Sequence, residues 1–92
     1  MPNHEEGFTL TIPSHSRFLV LVRSVIDQFS QDLGFSEIEA HKIVLAVDEA
    51  CTNIIRHCYQ GYPGKRILLM CRACDSGLEI RLKDFGPACD LK

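Results

Sequence analysis

Leu45-Ala46-Val47-Asp48-Glu49-Ala50-Cys51-Thr52-Asn53-Ile54-Ile55-Arg56-His57 is the stretch on which the fold turns. Placed at about 100° per residue around a helix axis, Asn53, Arg56 and Lys42 fall within roughly 40° of Glu49. Ile43, Val44, Val47, Ala50, Cys51, Ile54, Ile55 and Cys58 fill the opposite arc. A broad apolar seam with a narrow polar stripe is the pattern of a helix lying across a sheet and showing its other face to a ligand. Glu49 and Asn53, four residues apart, stack on one side of that helix, where a carboxylate and a carboxamide can act on the same molecule. Leu45 and Ala46 intrude on the stripe, so it is expected to line a partly covered pocket.

Working outward, the sequence N-terminal to this helix reads as a strand and a second helix. Phe8-Thr9-Leu10-Thr11-Ile12 alternates at period two, and Pro13-Ser14 then breaks the strand and offers a helix cap. Phe18, Leu19, Val22, Val25, Ile26, Phe29 and Leu33 recur at helical spacing, and Gly34 supplies a stop. Ser36 and Glu39 form a capping-box pattern that starts the Glu49 helix. That helix is expected to run until Gly61-Tyr62-Pro63-Gly64, a cluster that cannot sustain it.

Lys65 to Cys74 reads as a strand, Asp75-Ser76-Gly77 as a turn, and Leu78-Glu79-Ile80-Arg81-Leu82-Lys83 as a second, cleanly alternating strand. The order β-α-α-β-β predicts an α+β fold, a two-layer α/β sandwich with a mostly antiparallel sheet covered on one face by two helices. Asp84 closes the last strand, and Gly86-Pro87 bends the chain there, within reach of the Glu49 helix.

Composition limits the remaining classes. The 92 residues, 46% hydrophobic, make one small domain. A net charge of −2 provides no overall basic field for nucleic acid or an acidic membrane, and the basic residues are scattered along the chain. The apolar runs Phe18 to Val22 and Ile67 to Cys71 are too short to span a bilayer, so a cytoplasmic protein is the default expectation. Five cysteines are an odd number, which favours reduced thiols. Cys71-Arg72-Ala73-Cys74 matches a C-x-x-C pattern, but Cys89 and His57 do not form the second close pair that a structural zinc site uses. Cysteine as a small hydrophobe is the preferred reading, with a metal-binding regulator as the weakest of three function classes.

Glu49-Ala50-Cys51-Thr52-Asn53 with His57 resembles the N-box, and Asp84-Phe85-Gly86-Pro87 the first glycine box, of the GHKL ATPases with the Bergerat fold. The wider run from Leu45 to Tyr59 is similar to the anti-sigma factor serine kinases, and the similarity extends from about Phe8 to the chain end. Sensor histidine kinases share that fold with a different N-box context. Asp84-Phe85-Gly86 also spells the magnesium motif of protein kinases, whose glycine-rich loop, catalytic loop and strand lysine have no counterpart here.

The resemblance implies that Asn53 holds the Mg2+ bridging the phosphates of ATP and that Glu49 is the catalytic base for a serine hydroxyl. It further implies that Asp84 accepts a hydrogen bond from the adenine amino group, that Gly86 lets the backbone approach the base, and that His57 belongs to the nucleotide-binding set. The implied partners are an anti-anti-sigma factor as substrate and a sigma factor as captive, with no direct nucleic acid. Ala88 stands where many members have a second glycine. The family places an ATP lid, a second glycine box and further strands after the position of Lys92, so residues 1–92 are expected to be the N-terminal portion of a histidine-kinase-like ATPase domain. Such a piece is expected to bind ATP weakly, to exchange elements with a second copy as a homodimer, or not to bind nucleotide. The alternative to a kinase is a non-catalytic module that binds a sigma factor or its antagonist, with nucleotide structural or absent.

Overall fold

The computed structural model describes residues 6–58, 64–75 and 77–84. Strand β1, Glu6–Pro13, is followed by a single 3-10 turn, Ser16–Phe18, and helix α1, Leu19–Asp32. Helix α2, Glu37–Asn53, continues into a π-helical turn, Ile54–Cys58, before strands β2, Arg66–Cys74, and β3, Gly77–Asp84. The order is the β-α-α-β-β expected, and the architecture is α+β.

The three strands form one antiparallel sheet in the order β1-β2-β3. Its register aligns Phe8, Leu10 and Ile12 of β1 with Cys71, Leu69 and Ile67 of β2, and aligns these in turn with Ile80, Leu82 and Asp84 of β3. Because side chains alternate across a strand, all nine lie on one face. Ile12, Ile67, Leu69 and Cys71 from that face join Leu19, Val22 and Ile26 of α1 and Val44, Val47 and Cys51 of α2 in a single buried cluster. The helices thus form one layer and the sheet the other. Phe8 and Phe29 meet edge to face with ring centroids 4.9 Å apart, which fixes α1 against β1.

Local chemistry sets the element boundaries. Gly34 follows α1 at φ +100°, a conformation costly to any side chain with a Cβ. Ser36 then caps α2 in the reciprocal arrangement its sequence predicted, its Oγ accepting from the Glu39 amide while Glu39 Oε1 accepts from the Ser36 amide. Gly77 at φ +135° closes the β2–β3 turn. Ser14 differs from expectation. The N-cap of the first helical turn is His15, whose Nδ1 accepts from the Arg17 amide at 3.1 Å. The Ser14 hydroxyl instead accepts from the Lys65 amide, and the Ser14 amide donates to the Lys65 carbonyl at 2.9 Å, so this buried serine joins the ends of β1 and β2.

The second helix continues past Asn53 as expected, but in a different form. The ladder changes after Asn53 to the wider π turn. Both Ile54 and Ile55 are buried there, which keeps the end of the helix docked on the core. Residues 59–63, with most of the predicted terminating cluster, lie outside the described residues.

Two measurements follow from this packing. Leu69 is fully enclosed at the centre of the middle strand, so Leu69→Ala is expected to cost about 2–5 kcal/mol, whereas Leu68→Ala on the opposite, half-open face costs less; urea unfolding of both variants checks the difference. The amide and hydroxyl of Ser36 hold the Glu39 carboxyl below its ordinary value, with Lys42 adding to the shift. A carboxyl lowered on folding stabilises above its unfolded value and loses that contribution as pH falls through the folded one. Wild type is therefore expected to exceed Glu39→Gln in stability at neutral pH, with the gap closing below about pH 4.3, as read from urea midpoints across pH.

Candidate functional site

Between α2 and β3 lies an open groove of about 570 Å³. Its walls are Ile43, Ala46, Val47 and Ala50 from α2 and Leu78, Ile80 and Leu82 from β3, with Phe35 and Gly77 at one end. The groove exists because of side-chain size. Ala46 and Ala50 are the two smallest side chains on the flank of the α2 seam, and they face three large aliphatic residues without filling the space between. A concave, mostly apolar space of this size matches the dimensions typical of small-ligand sites.

The two elements run along the groove in the same direction. On α2 the lining positions 43, 46 and 50 lead at helical spacing to Asn53. On β3 the lining positions 78, 80 and 82 lead at strand spacing to Asp84, opposite Ile67 in the register. Neither Asn53 nor Asp84 lines the groove; each is the next position along its element after the last lining residue, Ala50 on α2 and Leu82 on β3. Asn53 is exposed and Asp84 half-buried. The helical residue supplies a carboxamide at the last α-helical position, immediately before the π turn, a distortion often found at functional sites.

Glu49 lies one helical turn after Ala46 on the exposed side of α2. The polar stripe itself thus borders the groove rather than lining it, and of the two intruding residues only Ala46 contributes to the wall. Leu45 is 47% exposed on the outer side. His57 and Arg56 are exposed in the π turn. Gly86, with Phe85 and Pro87, lies outside the described residues.

Asp48, to which the sequence assigns no role, holds α2 in place beside Glu49. Its Oδ1 accepts from Arg23 of α1 at 2.8 Å, an ion pair that ties the two helices together. The signal was long-range, a carboxylate and a guanidinium 25 residues apart, and helical periodicity within one element does not reveal it. Between Glu49 and Asn53, Cys51 points the other way, into the core, where burial with help from the Asp48 charge pushes its thiol up to about 12. Burial likewise raises Cys71. Both are packed thiols rather than reactive ones. Cys74 leaves β2 on the face opposite Cys71 and donates toward the Gly77 carbonyl at 3.5 Å, so the two cysteines of the C-x-x-C pattern do not converge on one ion. No helix among the described residues is long and apolar enough to cross a membrane.

Comparison with known proteins bears on this arrangement. Residues 12–92 match the model of the histidine kinase-like ATPase domain. The chain is 30% identical over 86 residues to a protein named serine-protein kinase RsbW from Halalkalibacterium halodurans, covering 94% of this chain and 52% of that protein. It is 27% identical to proteins of the same name from Listeria innocua, over the whole chain and 59% of the relative, and from Bacillus thuringiensis, over 94% and 53%. The chain thus spans little more than half the length of these curated relatives. The matched family covers all of α1, α2, β2 and β3, including Glu49, Asn53 and Asp84. This chain belongs to the histidine kinase-like ATPase domain family.

Proposed function

We propose that residues 1–92 form the N-terminal portion of a nucleotide-binding domain that takes ATP with Mg2+. In the whole protein, which on this reading is bacterial and cytoplasmic, the domain serves a serine-protein kinase acting on an anti-anti-sigma factor and sequestering a sigma factor. The observation that carries the reading is the apolar groove between α2 and β3, with a carboxamide and a carboxylate, Asn53 and Asp84, at the next position along each element beyond its lining. Family membership and the name shared by the relatives support it.

The residues present suit such a ligand. A flat heteroaromatic base is accommodated by aliphatic walls, and a half-buried carboxylate at the groove end is an acceptor for an exocyclic amine. On this reading Asp84 binds the adenine amino group, with Gly86 close by. A carboxamide oxygen is a hard donor suited to Mg2+, and that role falls to Asn53, with His57 one turn further in the same nucleotide-binding set. The bound magnesium supplies neutralisation of the phosphate charge during transfer. Glu49, one turn before Asn53 and open to solvent, accepts the proton of an incoming serine hydroxyl. The exposure that leaves Glu49 outside the groove is what a base acting on a protein substrate requires.

The test uses the protein at its natural full length with labelled ATP, Mg2+ and candidate antagonist proteins. Serine labelling is expected, falling about 100-fold or more in Glu49→Ala, while the rise in melting temperature caused by MgATP persists. Asn53→Ala and Asp84→Ala are expected to lose that rise. A stable complex with an antagonist or a sigma factor but no label establishes the non-catalytic module instead. The absence of any thermal shift at saturating MgATP removes the nucleotide from the reading altogether.

A further inference from the structure

The side of strand β1 away from β2 has a groove of its own. Phe8, Val25 and Phe29 form its floor, and Ser24, Gln28 and Asp32 form a rim along α1, around a volume of about 450 Å³. The floor residues are half-buried and the rim residues exposed. Among the described residues none of α2, β2 or β3 lines it, and the Phe8–Phe29 contact sets α1 over β1, so the groove opens along the edge of the sheet, away from the groove between α2 and β3. Positions 24, 28 and 32 recur about once per helical turn and mark out about 12 Å along α1. That length takes about four residues of an extended chain.

The strand that borders the groove lacks the protections usual at a sheet edge. Among the described residues β1 pairs with β2 alone, so alternate residues turn their backbone polar groups outward. The register runs from Glu6 to Pro13 without a bulge, and Gly7 to Ile12 carry no charge. The rim adds a carboxylate without a counterion. Asp32 is the last residue of α1, at the end where the helix dipole favours a cation, yet the last turn has no basic residue. Its Oδ1 accepts from the neutral Gln28 amide at 3.1 Å, and among the described residues no lysine or arginine pairs with it.

We propose that this edge takes an extended segment of a partner protein, one that adds to β1 as a strand, seats aliphatic side chains over Phe8, Val25 and Phe29, and sets a lysine or arginine against Asp32. In strand addition of this kind the backbone pairing supplies affinity and the side-chain pockets supply specificity. The carboxylate decides the occupant. A second copy paired through the same strand would present Glu6–Pro13, which holds no lysine or arginine and brings a further carboxylate. A cationic segment answers Asp32 and the helix end together. The inference is independent of the nucleotide reading, since it uses the other helix and the opposite edge of the sheet.

The experiment titrates the protein at its natural full length with a fluorescein-labelled peptide, Ser-Lys-Val-Thr-Val-Lys-Ser, at low salt, read by fluorescence anisotropy. Two further peptides serve as controls, one with glutamate in place of both lysines and one with the Val-Thr-Val backbone amides N-methylated. The lysine peptide is expected to bind, and each control to bind at least about fivefold less well. Asp32→Asn and Gln28→Lys, both at exposed helical positions, are each expected to weaken the lysine peptide by about twofold to fivefold. Ser24→Trp, which lays a ring over the floor from the rim, is expected to weaken it by about tenfold or more. Asp27→Asn, the same charge change on the same helix outside the groove, leaves binding unaltered. Circular dichroism checks that each variant is folded, and Asp32→Asn, a near-isosteric change, keeps the test open if Ser24→Trp does not fold. No binding of the lysine peptide, equal binding of either control peptide, or equal weakening by Asp27→Asn overturns the proposal. So does sedimentation showing a dimer that Ser24→Trp dissociates.

Discussion

The structure depends on one packing constraint, the burial of the α2 seam against the inner row of the sheet. Val44, Val47, Cys51 and Ile54 occupy the same enclosed cluster as Ile67, Leu69 and Cys71. Rotating α2 to move any of these out of the core exposes apolar surface at about 25 cal/mol per Å². With its rotation fixed in this way, α2 has no freedom in what it shows elsewhere. Ala46 and Ala50 must flank the seam and leave space opposite β3, Asn53 must continue that flank, and Glu49 must remain open to solvent. The Arg23–Asp48 ion pair and the Ser36–Glu39 cap refine a placement that hydrophobic burial has already decided.

Much of this was legible because the relevant signals are local and periodic. The period-two alternation of Phe8 to Ile12 and of Leu78 to Lys83 needs only neighbouring residues to be read, as does the 3.6-residue recurrence in α1 and α2. The Ser36–Glu39 cap spans four residues and formed as its pattern indicates. The partner of Ser14, in contrast, is Lys65, and a hydroxyl that caps a helix is chemically identical to one that ties two strands. The π turn left no mark either. Ile54 and Ile55 extend the apolar seam in either geometry, and only the hydrogen-bond ladder distinguishes them. The candidate site divides in the same manner. Glu49 and Asn53 were readable as one helical face, but whether that face lines or borders a cavity depends on the residues of β3 opposite it.

The charge distribution is the clearest case of information that a linear reading loses. Arg66, Arg72, Arg81 and Lys83 are separated along the chain by apolar and acidic residues, and their sum with the rest of the molecule is slightly negative. They gather only when the register sets Met70 beside Arg81, Leu68 beside Lys83 and Arg72 beside Glu79. Net charge describes long-range solution behaviour. Local recognition depends on which charges share a face, and that is a property of strand pairing.

The same pairing sorts the side chains of the sheet into its two faces. In β3, Leu82 lines the groove and Asp84 shares its face of the sheet, while Arg81 and Lys83 face outward, so successive residues serve opposite sides of a single layer. A slip of one residue against β2 would turn the cations toward the core and the aliphatic wall toward water. The register therefore has to be held from both directions. The inner row holds it by enclosing Leu69 and Cys71. The outer row adds the cross-strand pair of Arg72 with Glu79. Among the described residues of the outer face Glu79 is the one carboxylate, and its position directly opposite Arg72 gives it a structural reason to be there: it lowers the mutual repulsion of two guanidinium groups at the point where the strands must stay aligned.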